Sequence, residues 1–119
     1  MNVQIFGTLK SKDTKKALRF FKERGLKPHF VDLNEREIAA GELKRFSQKF
    51  GLDSLVDKSS KTYKDAGLEY MRVTEEAMTD KLIQTPKLMV LPLLRSDATL
   101  SVGWDEALWR QWYERSKSA

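Results

Sequence analysis

The chain of 119 residues has no cysteine, a single histidine, three prolines and six glycines. Without cysteine it can form no disulfide, thiolate metal site or thiol nucleophile, so redox chemistry on a protein thiol is excluded. The lone histidine, His29, has neither a thiol nor a second imidazole with which to build a zinc or nucleophile site, and between Pro28 and Phe30 it reads as a surface or core-edge residue. No run of about 18 apolar residues occurs, and "MNVQIFG" does not place a basic segment before a long apolar one, so no membrane association or export is expected and a cytoplasmic location is the default.

What is there suits a globular fold: 40% hydrophobic and 33% charged residues, enough for one domain over residues 1–119 with a single core. The tail "SKSA", residues 116–119, is expected to fray. Twenty-two Lys and Arg against seventeen Asp and Glu leave a net charge of +5, an attraction toward anionic partners. No nucleic-acid motif accompanies that charge, so a solvated basic face is the first reading and nucleic acid the least favoured partner.

Val3, Ile5 and Phe6, ending at Gly7, predict a buried first strand. A helix follows, with Ser11, Asp13 or Thr14 as cap, Ala17, Leu18, Phe20 and Phe21 at helical spacing, and Gly25 at its C-terminal stop. "KPHFVDL", residues 27–33, predicts a second strand parallel to the first, completing a βαβ unit. Leu43, Phe46 and Phe50 mark a helix that stops at Gly51, and "LDSLVD" adds a short turn or helix. "TYKDAGL" reads as a turn; "TEEAMTDKLIQT", residues 74–85, reads as a helix opening on Thr74 and ended by Pro86. "LMVLPLL", 88–94, and "TLSVGW", 99–104, flank "RSDA" as an antiparallel hairpin in which Pro92 marks a bulge or an edge, and "DEALWRQWYER" closes the domain as a helix capped by Asp105 and Glu106. In that helix Trp109 and Trp112 share a core-facing side, with Trp104 and Tyr113 at its edge.

This order, with "QTPKLMVLP" and "LSVGWDEALW", resembles the family of ArsC-type arsenate reductases, the regulator Spx and the YffB proteins over nearly the whole chain. The resemblance implies an α/β, thioredoxin-like βαβ…ββα core with an inserted helical segment. In "GTLKSKDTKKA" it puts Ser11 at the family's nucleophilic cysteine and Thr14 at the second cysteine position. It matches Ser59, Thr85 and Gly103 to the arginines that hold the oxyanion, and Thr85-Pro86 to the Arg-Pro pair before the third strand. In thioredoxin-like folds a cis proline begins that strand, so the resemblance implies a cis Thr85–Pro86 bond.

None of the three matched positions is arginine, and a serine hydroxyl without an adjacent base is a weak nucleophile. The expectation is therefore an arsenate reductase-like protein with no catalytic residue and no thiol reductase activity. Lys10, Ser11, Lys12, Thr14, Lys15, Thr85 and Pro86 form its candidate binding site, for a protein or a small anion. Lys16 adds to the same cluster, beside helix N–H groups that favour an anion. Solvation of exposed lysines is the competing reading, since each opposes the helix dipole by only about 0.3 to 1 kcal/mol. No metal or resident cofactor is expected. The enzyme alternative borrows sulfur from bound glutathione, held by Lys10, Ser11, Thr14 and the backbone before Pro86. A further alternative, drawn from the likeness to Spx and from the basic surface, is a regulatory module that binds RNA polymerase or nucleic acid.

Overall fold

A computed structural model describes residues 1–118. In chain order the elements are β1 (Val3–Gly7), α1 (Lys12–Glu23), β2 (His29–Asp32), α2 (Ala40–Phe50), α3 (Leu52–Leu55), α4 (Lys61–Asp65), a 3-10 turn (Leu68–Tyr70), α5 (Glu75–Gln84), a second 3-10 turn (Pro86–Leu88), β3 (Leu93–Ser96), β4 (Thr99–Val102) and α6 (Glu106–Ser118). Two compact units divide them: Met1–Asp32 together with the chain from Leu91, and Leu33–Val90.

The first unit holds a four-stranded mixed sheet in the order β2-β1-β3-β4. Strand β1 pairs parallel with β2, as a βαβ connection requires, and antiparallel with β3, which pairs antiparallel with β4. Val3, Ile5 and Leu94 point to one face, where Ala17, Leu18, Phe20 and Phe21 of α1 and Trp109 and Trp112 of α6 cover them. The rings of Phe20 and Phe21 meet edge to face at 5.0 Å, and that of Trp109 lies 5.8 Å from Phe20. Trp109 is fully buried, and its indole N–H donates to Ser101 Oγ at 3.0 Å. Burying each such side chain contributes about 1.5 to 3 kcal/mol, so this layer outweighs any surface term in the unit.

Local chemistry sets the ends of α1. Ser11 Oγ accepts from the Thr14 N–H at 3.2 Å. At the other end the Leu26 N–H reaches back to Phe21 O and the Gly25 N–H to Lys22 O, both at 3.0 Å. Gly25, at φ 77°, supplies the left-handed residue that this paired closure needs. In α6, Asp105 Oδ1 accepts from Leu108 N at 3.3 Å, the capping expected of it. That helix runs to Ser118, through most of the segment expected to fray, while Ala119 lies outside the described residues.

The start of β3 corrects the sequence reading. Residues 86–88 form a 3-10 turn, Met89 makes an isolated bridge to Val56, and the strand begins only at Leu93. The Thr85–Pro86 bond is not cis; the cis bond is Leu91–Pro92. Proline has no N–H to give a ladder, so Pro92 marks the boundary at which strand pairing starts. The hairpin turn is likewise tighter than "RSDA": Arg95 and Ser96 belong to β3, and Ser96 pairs with Thr99 around Asp97 and Ala98. Asp97 takes a left-handed φ of 53°, which aspartate tolerates better than most residues.

The second unit is helical. Helix α2 packs on α5, with Leu43, Phe46 and Leu82 fully buried. Gly51, at φ 84°, separates α2 from α3, and Thr74 Oγ1 caps α5 by accepting from Ala77 N at 3.1 Å. Hydrogen bonds from Asp57 N to Leu88 O and from Val90 N to Leu55 O, both 2.8 Å, tie the chain after α3 to the segment after α5. "TYKDAGL" is more ordered than a turn: Ser60 Oγ caps α4 at Tyr63 N, 3.1 Å, and a 3-10 turn follows. Among the described residues no helix is long and apolar enough to cross a membrane.

Candidate functional site

Strand β1 ends at Gly7, and the chain turns into α1 through Thr8–Ser11, closed by a hydrogen bond from Ser11 N to Thr8 O at 3.1 Å. Lys10, Lys12, Lys15 and Lys16 are exposed around this turn and Ser11 is half-buried, so five of the expected residues share one solvent-facing end of α1. Thr14 lies beneath them, fully buried. A Cβ on Gly7 would fall 2.6 Å from Thr14 Cγ2 and closer still to Oγ1, so only glycine lets the helix seat here. Among the described residues Thr14 Oγ1 has no hydrogen-bond partner, and its enclosure gives this residue a packing role.

Ser11 spends its oxygen on the helix cap rather than on chemistry. No imidazole stands near to take its proton. His29 pairs with Gln4, three register steps from the Gly7–Asp32 pair at the α1 end, or about 10 Å along the sheet. Thr85 and Pro86 belong to the second unit, where Thr85 closes α5 by donating its N–H to Lys81 O at 2.9 Å. Ser59 is in that unit too, its hydroxyl donating to Asp57 Oδ1 at 2.7 Å.

The proline that belongs to the sheet is Pro92. The register Phe6↔Leu93 sets it opposite Gly7, beside the turn into α1, and it is fully buried there. Its carbonyl accepts from Gly103 N at 2.8 Å, which brings the end of β4 to the same place. The residue before this strand-opening proline is therefore Leu91, not Thr85, and it is no more an arginine than the residue it replaces.

Trp104, next to Gly103, is 46% exposed, an unusual state for so large an apolar ring. Its ring meets Trp109 edge to face at 5.1 Å, and the Lys16 ammonium stands 5.2 Å from its centroid. At an exposed site such a cation–π contact contributes about 0.5 to 1 kcal/mol. Leu9, 53% exposed, adds a second apolar side chain at the head of α1. The sequence pointed to the lysines, placed Trp104 at an edge and took Pro92 for a bulge or an edge; it did not mark Leu9, nor show that Pro92 opens β3 beside Gly7, because that place follows from strand register rather than from any local pattern.

A parallel βαβ unit joined to an antiparallel hairpin and a covering helix, with a proline beside the β1–α1 turn, defines a thioredoxin-like fold of ArsC type. The model of the ArsC family matches residues 6–112, and the chain belongs to that family. It is 25% identical over 104 residues to the uncharacterized protein YfgD of Escherichia coli K12, covering 85% of this chain and 87% of that one. It is also 25% identical to the global transcriptional regulator Spx 2 of Oceanobacillus iheyensis, over 97% of this chain and 86% of the relative. The regulatory protein MgsR of Bacillus subtilis is 28% identical over 67% of this chain and 69% of its own. Among solved structures, the YFFB protein superposes with a TM-score of 0.82 at 16% identity, covering 92% and 96% of the two chains. An arsenate reductase from Vibrio cholerae gives 0.75 at 22%, covering 87% and 90%. These last two likenesses concern the fold.

Proposed function

We propose that this ArsC-family protein is a regulator that works by binding a partner protein at the head of α1, without thiol reductase chemistry. The observation that carries this is the state of Ser11: the residue matched to the family's cysteine is a helix cap, with no base beside it. The surface around it suits a protein. Leu9 and Trp104 offer apolar area and Lys16 lies over the Trp104 ring, within a group of exposed lysines that complements an acidic partner. Two relatives named as regulators, Spx 2 and MgsR, support a regulatory role, and the first, named a global transcriptional regulator, supports a partner in the transcription apparatus.

Immobilised protein titrated with purified bacterial RNA polymerase tests this reading. Saturable binding is expected, weakened at least about tenfold by Trp104→Ala with Lys16→Glu, the usual scale for an aromatic anchor. Absence of binding, or binding indifferent to both changes, refutes it. The lysines alone favour a second reading, a small anion or glutathione at the same place; a titration with either that moves the amides of residues 8–16 in a saturable way would select it. Under both readings Ser11→Cys gives no efficient arsenate reduction with glutathione and glutaredoxin supplied, because Ser59, Leu91 and Gly103 hold no positive charge. Efficient turnover by that variant would show that the fold supplies the oxyanion's electrostatics by another route.

A further inference from the structure

The sheet of the first unit has a second face. Val3, Ile5 and Leu94 point toward α1 and α6, so by alternation Gln4, with its register partners His29 on β2 and Arg95 on β3, points the other way. These three side chains form a row across three adjacent strands. Toward the α1 end the next row on that face, Val31, Phe6 and Leu93, is buried and apolar. At the far end the row Gln4, His29 and Arg95 opens into a depression of about 490 Å³, completed by Asn2, Lys27 and Asp97.

From the composition and shape of this depression we infer a binding site for a small phosphate-like oxyanion, separate from the surface at the head of α1. Five of the six polar side chains carry N–H donors, two of them the basic groups of Lys27 and Arg95, against one carboxylate, so the lining is matched to an acceptor-rich anion. Arg95 is held in place: its Nε donates to the main-chain oxygen of Asp97 at 3.1 Å, across the hairpin turn in which Asp97 adopts its left-handed conformation. A guanidinium fixed in this way loses less freedom when it binds a planar or tetrahedral oxyanion. Size sets the class of ligand. Three strands span about 10 Å, enough for a phosphate or a diphosphate group and too short to follow a polyanion.

The full chain, labelled with ¹⁵N, is titrated with sodium phosphate at constant ionic strength, with chloride making up the balance so that general screening is held fixed. The expected result is saturable movement of the amides of Gln4, His29 and Arg95, with residues 10–16 unmoved. Arg95→Gln and Lys27→Gln should each weaken binding about tenfold, the usual consequence of losing one charge-assisted contact. Lys27 is exposed, so its variant keeps the test intact where Arg95→Gln disturbs the hairpin. Shifts that never saturate, or variants that bind as tightly as the parent, overturn the assignment. Movement confined to residues 10–16 overturns it too, while leaving a ligand at the head of α1 in place. Displacement of phosphate by far lower concentrations of a single-stranded oligonucleotide, with shifts spreading beyond the depression, refutes the small-ligand class.

Discussion

The two units of the chain are held by different means. In the sheet unit a few large rings, Phe20, Phe21, Trp109 and Trp112, are packed against strands whose register is fixed along three ladders. In the helical unit six short helical pieces and turns follow one another, each with its own stop or cap, such as Gly51, Ser60 and Thr74, and their largest fully buried side chains are Phe46, Leu43, Leu55 and Leu82. A sheet concentrates energy in a few side chains that many contacts share; a run of short helices spreads it over many small terms. Substitutions should expose that contrast.

The largest effect is expected from Trp109→Ala, which removes ring contacts to Phe20, Phe21 and Trp104 and strands the Ser101 hydroxyl. A loss of about 3 to 5 kcal/mol, read from urea denaturation, is the expected outcome. Leu82→Ala, at the α2–α5 contact, should cost about 2 to 3 kcal/mol on the same scale. If Leu82→Ala proves the costlier change, the contrast between the units is reversed. Next comes Gly7→Ala, whose methyl group collides with Thr14; about 1 to 3 kcal/mol of destabilisation is expected. Because the obstruction is one side chain, the double change with Thr14→Ala should recover much of that loss, and strict additivity in the cycle would mean the clash is relieved elsewhere.

Smaller terms belong to the helical unit. Thr74→Ala removes the cap of α5 at a cost of about 1 kcal/mol, and Thr74→Ser should restore most of it. Smallest of all is the Lys58–Asp53 pair, 2.7 Å apart with both side chains exposed. The hydrogen bond to Asp53, aided by that residue's charge, holds the Lys58 ammonium above its ordinary pKa. Its contribution is complete below the ordinary lysine value and is lost as pH rises through the raised one. Asp53→Asn should lower the Lys58 titration midpoint, seen by side-chain NMR, with no resolvable change in stability, as befits an exposed pair. A clear drop in stability would mean the pair acts in concert with its neighbours.

Features decided within a few residues were legible in the sequence. Thr74 and Asp105 announce caps, Ser11 is one of three candidates the sequence offers for the cap of α1, and Gly25 and Gly51 announce stops, because one side chain or one missing Cβ is enough for each. The βαβ unit was readable for the same reason, since each piece carries its own periodicity. What failed needed partners distant in the chain. Pro86 and Pro92 both lie within two residues of an apolar run, and only the pairing of Phe6 with Leu93 shows which of them opens the strand. Nothing near Thr14 says that its methyl and hydroxyl fill the space over Gly7, so a residue picked for ligand contact lies under the surface instead. The α4 segment was missed because five residues cannot show a helical period, although its serine cap was present to be read.

The three tryptophans differ in one further respect. Trp109 and Trp112 are sealed in the core, whereas nearly half of Trp104 meets solvent, against a lysine and at the head of α1. Intrinsic fluorescence should therefore divide into a shielded, blue-shifted part and a part that acrylamide quenches freely. A molecule settling over Trp104 would withdraw that second part from the quencher, so the folded chain carries an unlabelled optical gauge of occupancy at this surface, and one filling only the depression around Gln4 would leave the signal unchanged.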